Sequence, residues 1–343
     1  MAHGTAASGQ HMANIKDIAQ ASGVSVATVS RALAKPELVR HETLQKVNAA
    51  IAELGYMPNA MASSLRRKRS DTLLVVIPNL HNPFYSGVVE GVERIADREG
   101  LRVLLGETRG EQQRLDVYAD MLAKKQADGM ILLGENMPSG LGHAAHLANR
   151  IVMACEYPAD ATVPRVRIDN ERAAHEAVTY LATLGHRRIA SITGPSSGSL
   201  GLKRQLGYVS ALREQGLEFD ERLVCEGTFE FESGLIAMQR LLCLRDRPTA
   251  VFCANDEMAI GAIQALWQAG LSVPADCSVI GFDDIRFAAY ASPPLTTVAQ
   301  PTVEIGMAAM ELMLRCLNDE TGMNLEETLP HRLIVRNSTA VLR

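Results

Sequence analysis

Two hydrophobic patterns divide the chain, and one replaces the other near residue 70. Before that point, apolar residues recur every three or four positions in short stretches, which is typical of small amphipathic helices. From Thr72 onward, continuous runs of Val, Ile and Leu alternate with longer amphipathic stretches. Apolar strands that alternate with helices indicate parallel sheets covered on both faces. The pattern therefore predicts a small helical domain followed by a larger α/β domain.

Residues 14–33 predict two short helices separated by a sharp turn. Gly23 is free to adopt the positive φ that the turn requires, and Ser25 is a suitable N-cap because its hydroxyl accepts a backbone N–H. An apolar stripe on each helix would join the pair: Ile15, Ile18, Ala19, Val29, Ala32 and Leu33. Five side chains remain on the outer part of the second helix: Val26, Ala27, Thr28, Ser30 and Arg31. This is the helix-turn-helix arrangement, in which the second helix enters the DNA major groove.

An ordinary helical hairpin is the alternative for these residues. It would not need Ser, Thr and Arg to face outward while it buries so little apolar surface. A third amphipathic helix is predicted over residues 42–54 and ends at Gly55. Residues 59–70 are polar with a basic tail, so they form either a disordered linker or a hinge that becomes ordered on DNA.

The α/β part contains the same succession of strands and helices twice, and the second succession begins after Asp169-Asn170. The predicted strands are 73–77, 102–105, 129–133, 151–153, 188–192, 223–225, 250–253 and 278–281. The predicted helices are 84–98, 111–125, 172–184, 203–215, 233–244 and 257–269. Two such units predict two lobes that face each other. Because ligands bind beyond the carboxyl ends of parallel strands, the cleft between the lobes is the expected small-molecule site.

The charge is unevenly distributed along the chain. The net charge is −5, yet residues 1–70 carry nine Lys/Arg against four Asp/Glu. A basic arm on an acidic body suits a protein that places only its N-terminal part on a polyanion. The six cysteines show no metal-ligand spacing, so we expect reduced core thiols and neither a metal nor a cofactor.

No apolar run is long enough to span a bilayer, and no secretory leader is recognised, which predicts a cytoplasmic protein. Residues 1–12 look like the remnant of an expression tag and are left out of the predicted fold.

Eight motifs carry a resemblance to the lactose-repressor (LacI/GalR) family over residues 14–343. They are VSVATVSR at 24–31, LGYMPN at 54–59, NPFY at 82–85, ADGMI at 127–131, DN at 169–170, ANDEMA at 254–259, IGFDD at 280–284 and PPLTT at 293–297. Segments 227–234, 248–253 and 298–301 are most similar to the cytidine-repressor branch of that family.

The resemblance implies an all-α helix-turn-helix headpiece over residues 13–57 and a hinge over 58–71. It implies an α/β effector-binding and dimerisation domain over 72–343, two-lobed and similar to periplasmic binding proteins, with parallel, doubly wound sheets. The first lobe would contain about 72–169 and 301–330. The second would contain about 170–300 and 331–343.

The resemblance also assigns residues of the headpiece and hinge to DNA. Three side chains would read base edges: Val26, Ala27 and Arg31. Four would hold phosphates: Ser25, Thr28, Ser30 and Asn59. In the hinge, Leu65 would enter the minor groove as a wedge, with Ala62 alongside and Arg66 reaching into the same groove.

In the cleft, the resemblance implies seven effector-binding side chains: Phe84, Tyr85, Asp169, Arg204, Phe229, Asn255 and Asp283. The aromatic faces would hold a sugar or base ring, and the polar groups would bind hydroxyls. Asp169 and Asp283 could instead cap loops, and Phe229 could be a core residue. Gly198 and Leu200 stand where purine-binding members carry polar residues, which favours a nucleoside or a ribose-type sugar over a free base.

These features predict a sequence-specific transcriptional repressor that an effector controls. A homodimer is expected, because a two-fold protein places two headpieces on a pseudo-palindromic operator. A periplasmic sugar-binding protein would share the body but would lack a basic headpiece. An enzyme is the other alternative, yet the chain has no GxSxG or GxxxxGK[ST] motif, and no GxGxxG motif follows the first strand.

Overall fold

The computed structural model describes residues 13–56, 69–139, 145–155, 158, 162–196, 198–320 and 326–342. The chain forms two compact units, residues Met1–Ser70 and Asp71–Arg343, which are considered separately. The described part of the first unit contains three α-helices: α1 (Ile15–Ser22), α2 (Val26–Ala34) and α3 (His41–Leu54). Six buried side chains form its core: Ile18, Ala19, Val29, Ala32, Val47 and Ala50.

The turn between α1 and α2 has the predicted chemistry. Gly23 adopts the left-handed conformation with φ 67°, and Ser25 caps α2 by accepting the backbone N–H of Thr28 at 3.2 Å. Asn14 and Asp17 form a capping box at the start of α1, which satisfies N–H groups that the helix leaves unpaired. The structure therefore confirms the helix-turn-helix that the local pattern predicts.

In the second unit, the described residues form twelve strands and eight helices. The helices are α4 (Phe84–Arg98), α5 (Gln112–Ala123), α6 (Ala145–Ala148), α7 (Asn170–Thr183), α8 (Ser199–Glu214), α9 (Phe231–Leu242), α10 (Asp256–Gln268) and α11 (Thr302–Leu317). The first six strands are β1 (Thr72–Ile77), β2 (Arg102–Glu107), β3 (Gly129–Leu132), β4 (Ile151–Ala154), β5 (Arg165–Ile168) and β6 (Ile189–Thr193). The remaining strands are β7 (Val224–Glu226), β8 (Ala250–Cys253), β9 (Ser278–Asp283), β10 (Thr296–Ala299), β11 (Glu326–Leu329) and β12 (Arg332–Ile334).

Each predicted strand and helix of this unit occurs, with ends that differ by a few residues. Four strands, β5 and β10 to β12, and helices α6 and α11 do not figure in the sequence prediction. Each of these four strands contains charged or hydroxyl side chains, so none forms a continuous apolar run that the sequence pattern would reveal.

Two six-stranded sheets form the centres of the two lobes. Their strand orders are β11-β5-β4-β3-β1-β2 and β12-β10-β9-β8-β6-β7. All pairs are parallel except β10 with β12, which is antiparallel at the edge of the second sheet. Alternate residues of β1 lie in different hydrophobic clusters, Leu73 and Val75 in one and Leu74 and Val76 in the other. Both faces of the first sheet are therefore covered, as a doubly wound sheet requires.

The chain passes between the two sheets three times. The first passage follows β5, the second joins β10 to α11, and the third joins β11 to β12. Short segments form these passages: Asp169 before α7, Gln300 and Pro301 before α11, and residues 330–331. Side chains near the passages can therefore influence how the two lobes are arranged.

Candidate DNA-binding surface and effector cleft

The N-terminal half of helix α2 presents the predicted DNA-reading side chains to solvent. Ser25, Val26, Ala27 and Arg31 are exposed, whereas Thr28 and Ser30 are half-buried. Val26 is 40% exposed although it is apolar, so burial in the headpiece core does not account for it. The Ser25 hydroxyl lies 2.9 Å from the Thr28 hydroxyl, which orients both groups at the start of the helix. The predicted base-reading residues thus share one exposed helix end; their individual contacts stay predictions.

The predicted hinge contacts involve residues beyond α3. Gly55 ends this helix in the left-handed conformation, with φ 59°. Asn59, Ala62, Leu65 and Arg66 lie outside the described residues, so their roles on DNA stay predictions.

In the second unit, a cavity of about 180 Å³ lies between the two lobes. Five of its lining residues stand at or just after the carboxyl end of a strand: Pro78, Cys155, Asn255, Asp283 and Gln300. Others come from the first turns of helices, including Phe84, Tyr85 and Leu200. The cleft is thus where the α/β pattern predicts it, because parallel strands direct their carboxyl ends to one edge of each sheet.

Arg204 lies at the centre of the polar part of this cavity and is only 2% exposed. Its Nε donates to Asn170 Oδ1 at 3.0 Å, and Nη1 donates to the carbonyl oxygen of Ala254. Nη2 lies 3.3 Å from Asp283 Oδ1. The guanidinium carbon is 3.6 Å from the centroid of the Phe282 ring, a cation–π contact. Arg204 is therefore held in one orientation by charge, hydrogen bonds and stacking.

Asp283 is the anionic partner in this network and is 6% exposed. Its Oδ1 also accepts a hydrogen bond of 2.7 Å from Gln300 Nε2. Burial raises the pKa of Asp283 to about 6, while Arg204 and Gln300 oppose that rise. Its φ of 113° is unusual for a side chain other than glycine, and such strain occurs preferentially at binding sites. At neutral pH this desolvated carboxylate is suited to accept hydrogen bonds from ligand hydroxyls.

Aromatic rings from both lobes line the same cavity. Phe84 and Tyr85 are buried in the first turn of α4, with ring centroids 5.3 Å apart in an edge-to-face arrangement. Phe229 comes from the second lobe, in the loop before α9, where its φ is 65°. Its ring lies against Gly194, where a Cβ would overlap the ring. The predicted ring-binding residues therefore do come together around one space.

Two predicted effector residues have different positions or partners from those expected. Asp169 does not line the cavity; its Oδ1 accepts the backbone N–H of Arg172 at 3.0 Å and caps α7. This is the capping alternative that the sequence analysis left open for Asp169, and it arises because the first turn of a helix needs an acceptor for its free N–H groups; a role in effector binding stays a prediction. Asn255 does line the cavity, but its Nδ2 donates to the Phe229 carbonyl at 2.8 Å and its Oδ1 caps α10.

The sequence analysis did not identify Asn170, Gln300 or Asp256. Asn170 and Gln300 bind Arg204 and Asp283 from two of the passages between the lobes. Asp256 is completely buried; its carboxylate accepts 2.8 Å and 2.5 Å hydrogen bonds from Ile285 N and Thr297 Oγ1. Burial raises its pKa well above the ordinary value. All three lie in segments that carry the family resemblance, DN at 169–170, ANDEMA at 254–259 and 298–301, but no local pattern showed which side chains they would bind.

A second cavity, of about 470 Å³, adjoins the first and shares Pro78, Thr228 and Phe229 with it. Its other lining residues are both apolar and polar and include Leu115, Leu132, Arg109, Glu111 and Glu135. The two cavities together offer a space that contains the Arg204–Asp283 ion pair next to a larger space with apolar and charged walls. Such a cleft suits a ligand with a ring and several hydroxyl groups.

Among the described residues, no group of three or more His, Cys, Asp or Glu side chains has the geometry of a metal site. The six cysteines are free thiols. No helix in the described part of the chain has both the length and the apolar composition that crossing a membrane requires.

Comparison with known proteins found relatives over nearly the whole length of the chain. Residues 14–59 match the family model "Bacterial regulatory proteins, lacI family", and residues 178–339 match "Periplasmic binding protein-like domain". The chain is 41% identical to the HTH-type transcriptional repressor CytR of Escherichia coli K12 over 96% of its own length and 97% of that protein. It is 38% identical to the ribose operon repressor of the same strain, over 95% of this chain and all of that protein. A Lac repressor dimer bound to operator and the anti-inducer ONPF matches with a TM-score of 0.85 and 28% identity, over 96% of this chain and 99% of that one.

Proposed function

Because the chain belongs to the LacI family of bacterial regulatory proteins, we propose that it represses transcription from an operator and that a small molecule in the cleft controls this binding. One observation carries the proposal. The same chain has an exposed recognition-type helix, α2, and a cleft in which Arg204 and Asp283 form a buried ion pair. The first feature suits the major groove, and the second suits a hydroxylated ligand.

The effector that fits best is a nucleoside or a ribose-type sugar. Phe84 and Tyr85 face the same space as Phe229, so an apolar ring can lie between surfaces of the two lobes. Asp283 and Arg204 supply an acceptor and donors for hydroxyl groups on that ring. The larger adjoining cavity leaves room for a second ring, which favours a nucleoside. One of the similar proteins is named for the ribose operon, which agrees with a pentose-containing ligand.

The operator partner follows from symmetry. A homodimer related by a two-fold axis would place two copies of α2 on two half-sites of a pseudo-palindrome. A similar structure contains a Lac repressor dimer on its operator. The working compartment would then be the cytoplasm, where the operator lies. The relatives are transcriptional repressors, which are not enzymes, and we propose that the ligand leaves the cleft unchanged.

Control by the ligand would act through the passages between the lobes. Arg204 and Asp283 are bonded to Asn170 and Gln300, which stand at two of those passages. A ligand that binds the ion pair therefore acts on the segments whose conformation sets the arrangement of the lobes. Coupling of this kind typically amounts to about 1–3 kcal/mol and acts in both directions between effector and DNA.

The effector proposal is tested by a thermal-shift screen of the full-length protein with nucleosides, nucleobases and pentoses, followed by calorimetry. A true effector raises the melting temperature because it binds only the folded protein. Arg204→Ala and Asp283→Asn should abolish this rise and leave operator binding intact. Arg213→Ala is the matched control, since Arg213 is exposed on the same helix. Normal ligand uptake by both cleft variants would refute the assignment.

The DNA proposal is tested by Arg31→Ala. Loss of a bidentate contact with guanine should make the free energy of operator binding less favourable by about 1–3 kcal/mol. It should also reduce the preference for guanine at one base pair of the operator. Fluorescence anisotropy with the operator and with single-base variants measures both effects. Lys46→Ala provides the comparison, because Lys46 is an exposed cation on α3 that pairs with Glu42. Equal losses for the two variants would contradict base reading by Arg31.

A further inference from the structure

A carboxylate from the first lobe reaches the first turn of a helix in the second lobe. Glu135 lies in the loop after β3, and its Oε1 accepts the backbone N–H of Leu200 at 2.7 Å. The same oxygen accepts the Ser199 hydroxyl at 3.0 Å. Ser199 and Leu200 are the first two residues of α8. These two hydrogen bonds therefore join the lobes directly at one side of the cleft.

Helix α8 has no side chain of its own at the capping position, because Gly198 occupies it. The first N–H groups of a helix need an acceptor, and a carboxylate is a favourable one since it also opposes the helix dipole. A Cβ on residue 198 would lie 2.8 Å from Glu135 Oε2. Glycine at this position thus leaves the space that the Glu135 carboxylate uses.

The turn that Glu135 caps is the turn that leads to the effector site. Arg204 follows Leu200 by one helical turn, so the position of that first turn determines where the guanidinium enters the cleft. Lys203 lies in the same stretch: burial lowers its pKa, whereas the carboxylates of Glu135 and Glu326 oppose that decrease. Glu326 belongs to β11 of the first sheet. Arg167 and Arg165 of the first lobe, which pair with Glu326, add to the decrease in the Lys203 pKa, so several charged groups of the opposite lobe act on the start of α8.

We propose that Glu135 is a positioning residue that holds helix α8, and with it Arg204, in the effector-binding arrangement by joining the two lobes. Because Glu135 and α8 belong to different lobes, the two hydrogen bonds exist only when the lobes are close together. They therefore stabilise the closed arrangement, and closure in turn caps the helix that carries Arg204. The affinity of a ligand for the closed form increases with the population of that form. The inference rests on the proposed function, since it concerns closure around an effector.

The first test needs no effector. Hydrogen–deuterium exchange of the full-length protein, analysed by mass spectrometry, compares Glu135→Ala, Glu135→Gln and wild type. Loss of the cap should accelerate exchange in the peptide that covers residues 198–203 by about tenfold in Glu135→Ala. Glu135→Gln retains an acceptor oxygen and should restore most of the protection. The control is Glu90→Ala, since Glu90 is an exposed carboxylate of the first lobe that pairs with Arg94 of its own helix and lines neither cavity.

The second test uses the effector that the screen identifies, and calorimetry measures its affinity. Glu135→Ala should weaken binding about tenfold, with a smaller loss in Glu135→Gln and none in Glu90→Ala. Unchanged exchange at the start of α8 in Glu135→Ala would overturn the inference, as would wild-type effector affinity in that variant. If wild type binds no tested nucleoside or pentose, the proposed effector class fails, and the exchange measurement still decides the role of Glu135.

Discussion

Glu257 is a buried carboxyl group of the second lobe whose surroundings disfavour its charged form. It lies in the first turn of α10, is 7% exposed, and its Oε1 has no hydrogen-bond partner among the described residues. Burial, together with the charges of Asp283, Glu230 and Glu232, raises its pKa to about 7. An ionised carboxyl group in such a place lowers the stability of the folded protein.

Replacement of Glu257 by Gln should change the dependence of stability on pH. The folded-state pKa is above the ordinary value of 4.5, so the folded protein keeps a proton that the unfolded chain releases. Stability should therefore fall as pH rises from about 4.5 to about 7, and Glu257→Gln should remove that part of the fall. At pH 8 the variant should gain about 2 kcal/mol in the free energy of unfolding, measured by urea denaturation.

The control for this prediction is Glu93→Gln, which changes an exposed carboxyl group on α4. It should leave the pH profile unchanged. Equal profiles for Glu257→Gln and wild type between pH 4.5 and 8 would show that Glu257 is not held in its neutral form. Asp256 and Asp283 also have raised pKa values. The free energy of unfolding of Glu257→Gln should therefore still decrease as pH rises, but less than that of wild type.

At the scale of elements, the first lobe depends on the close approach of helices α4 and α11. Glycines stand on both sides of the contact. A Cβ on Gly91 would overlap the carbonyl oxygen of Val303, and a Cβ on Gly306 would overlap that of Val88. The two backbones can therefore lie together only where these side chains are absent. The sequence analysis did not predict α11, although Glu304, Glu311 and Arg315 share one face of this helix opposite its buried residues.

Gly306→Ala should separate the two helices and destabilise the first lobe. The added methyl group must displace backbone, which typically costs about 1–3 kcal/mol, although alanine favours a helix more than glycine does. Glu304→Ala, at an exposed position of the same helix, should change stability by less than about 0.5 kcal/mol. Urea denaturation measures both variants. Stabilisation by Gly306→Ala would contradict the close approach.

At the scale of the whole molecule, charge is divided between the two ends of the sequence. The basic N-terminal region precedes an acidic α/β unit, although the net charge of the chain is only −5. Contacts with operator phosphates therefore depend on one region, while the rest of the protein is repelled by DNA. The effector class proposed here is neutral, and the ion pair proposed to bind it is buried, so salt should screen that interaction much less.

The two binding reactions should consequently differ in their response to salt. Operator affinity should fall roughly a thousandfold between about 50 and 200 mM salt, because bound phosphates release counterions. The affinity for a neutral nucleoside or pentose should change by less than about twofold over the same range. Anisotropy and calorimetry on the same preparation measure the two effects. Salt-independent operator binding would contradict a phosphate-dominated interface.

The sequence by itself determined the features that depend on neighbouring residues. The turn at Gly23, the cap at Ser25 and the alternation of apolar strands with helices follow from backbone freedom, hydrogen bonding and periodicity over a few positions. The placement of the cleft also followed, because parallel strands share the direction of their carboxyl ends.

Only the tertiary structure decided which side chains meet in that cleft. Asp169 caps α7 while its neighbour Asn170 binds Arg204, and Gln300 reaches Asp283 from the next passage between the lobes. Glu135 caps a helix 65 residues further along the chain. Such pairs depend on the order of strands in two sheets and on the approach of the two lobes. Both are set by packing over the whole molecule, which no local pattern contains.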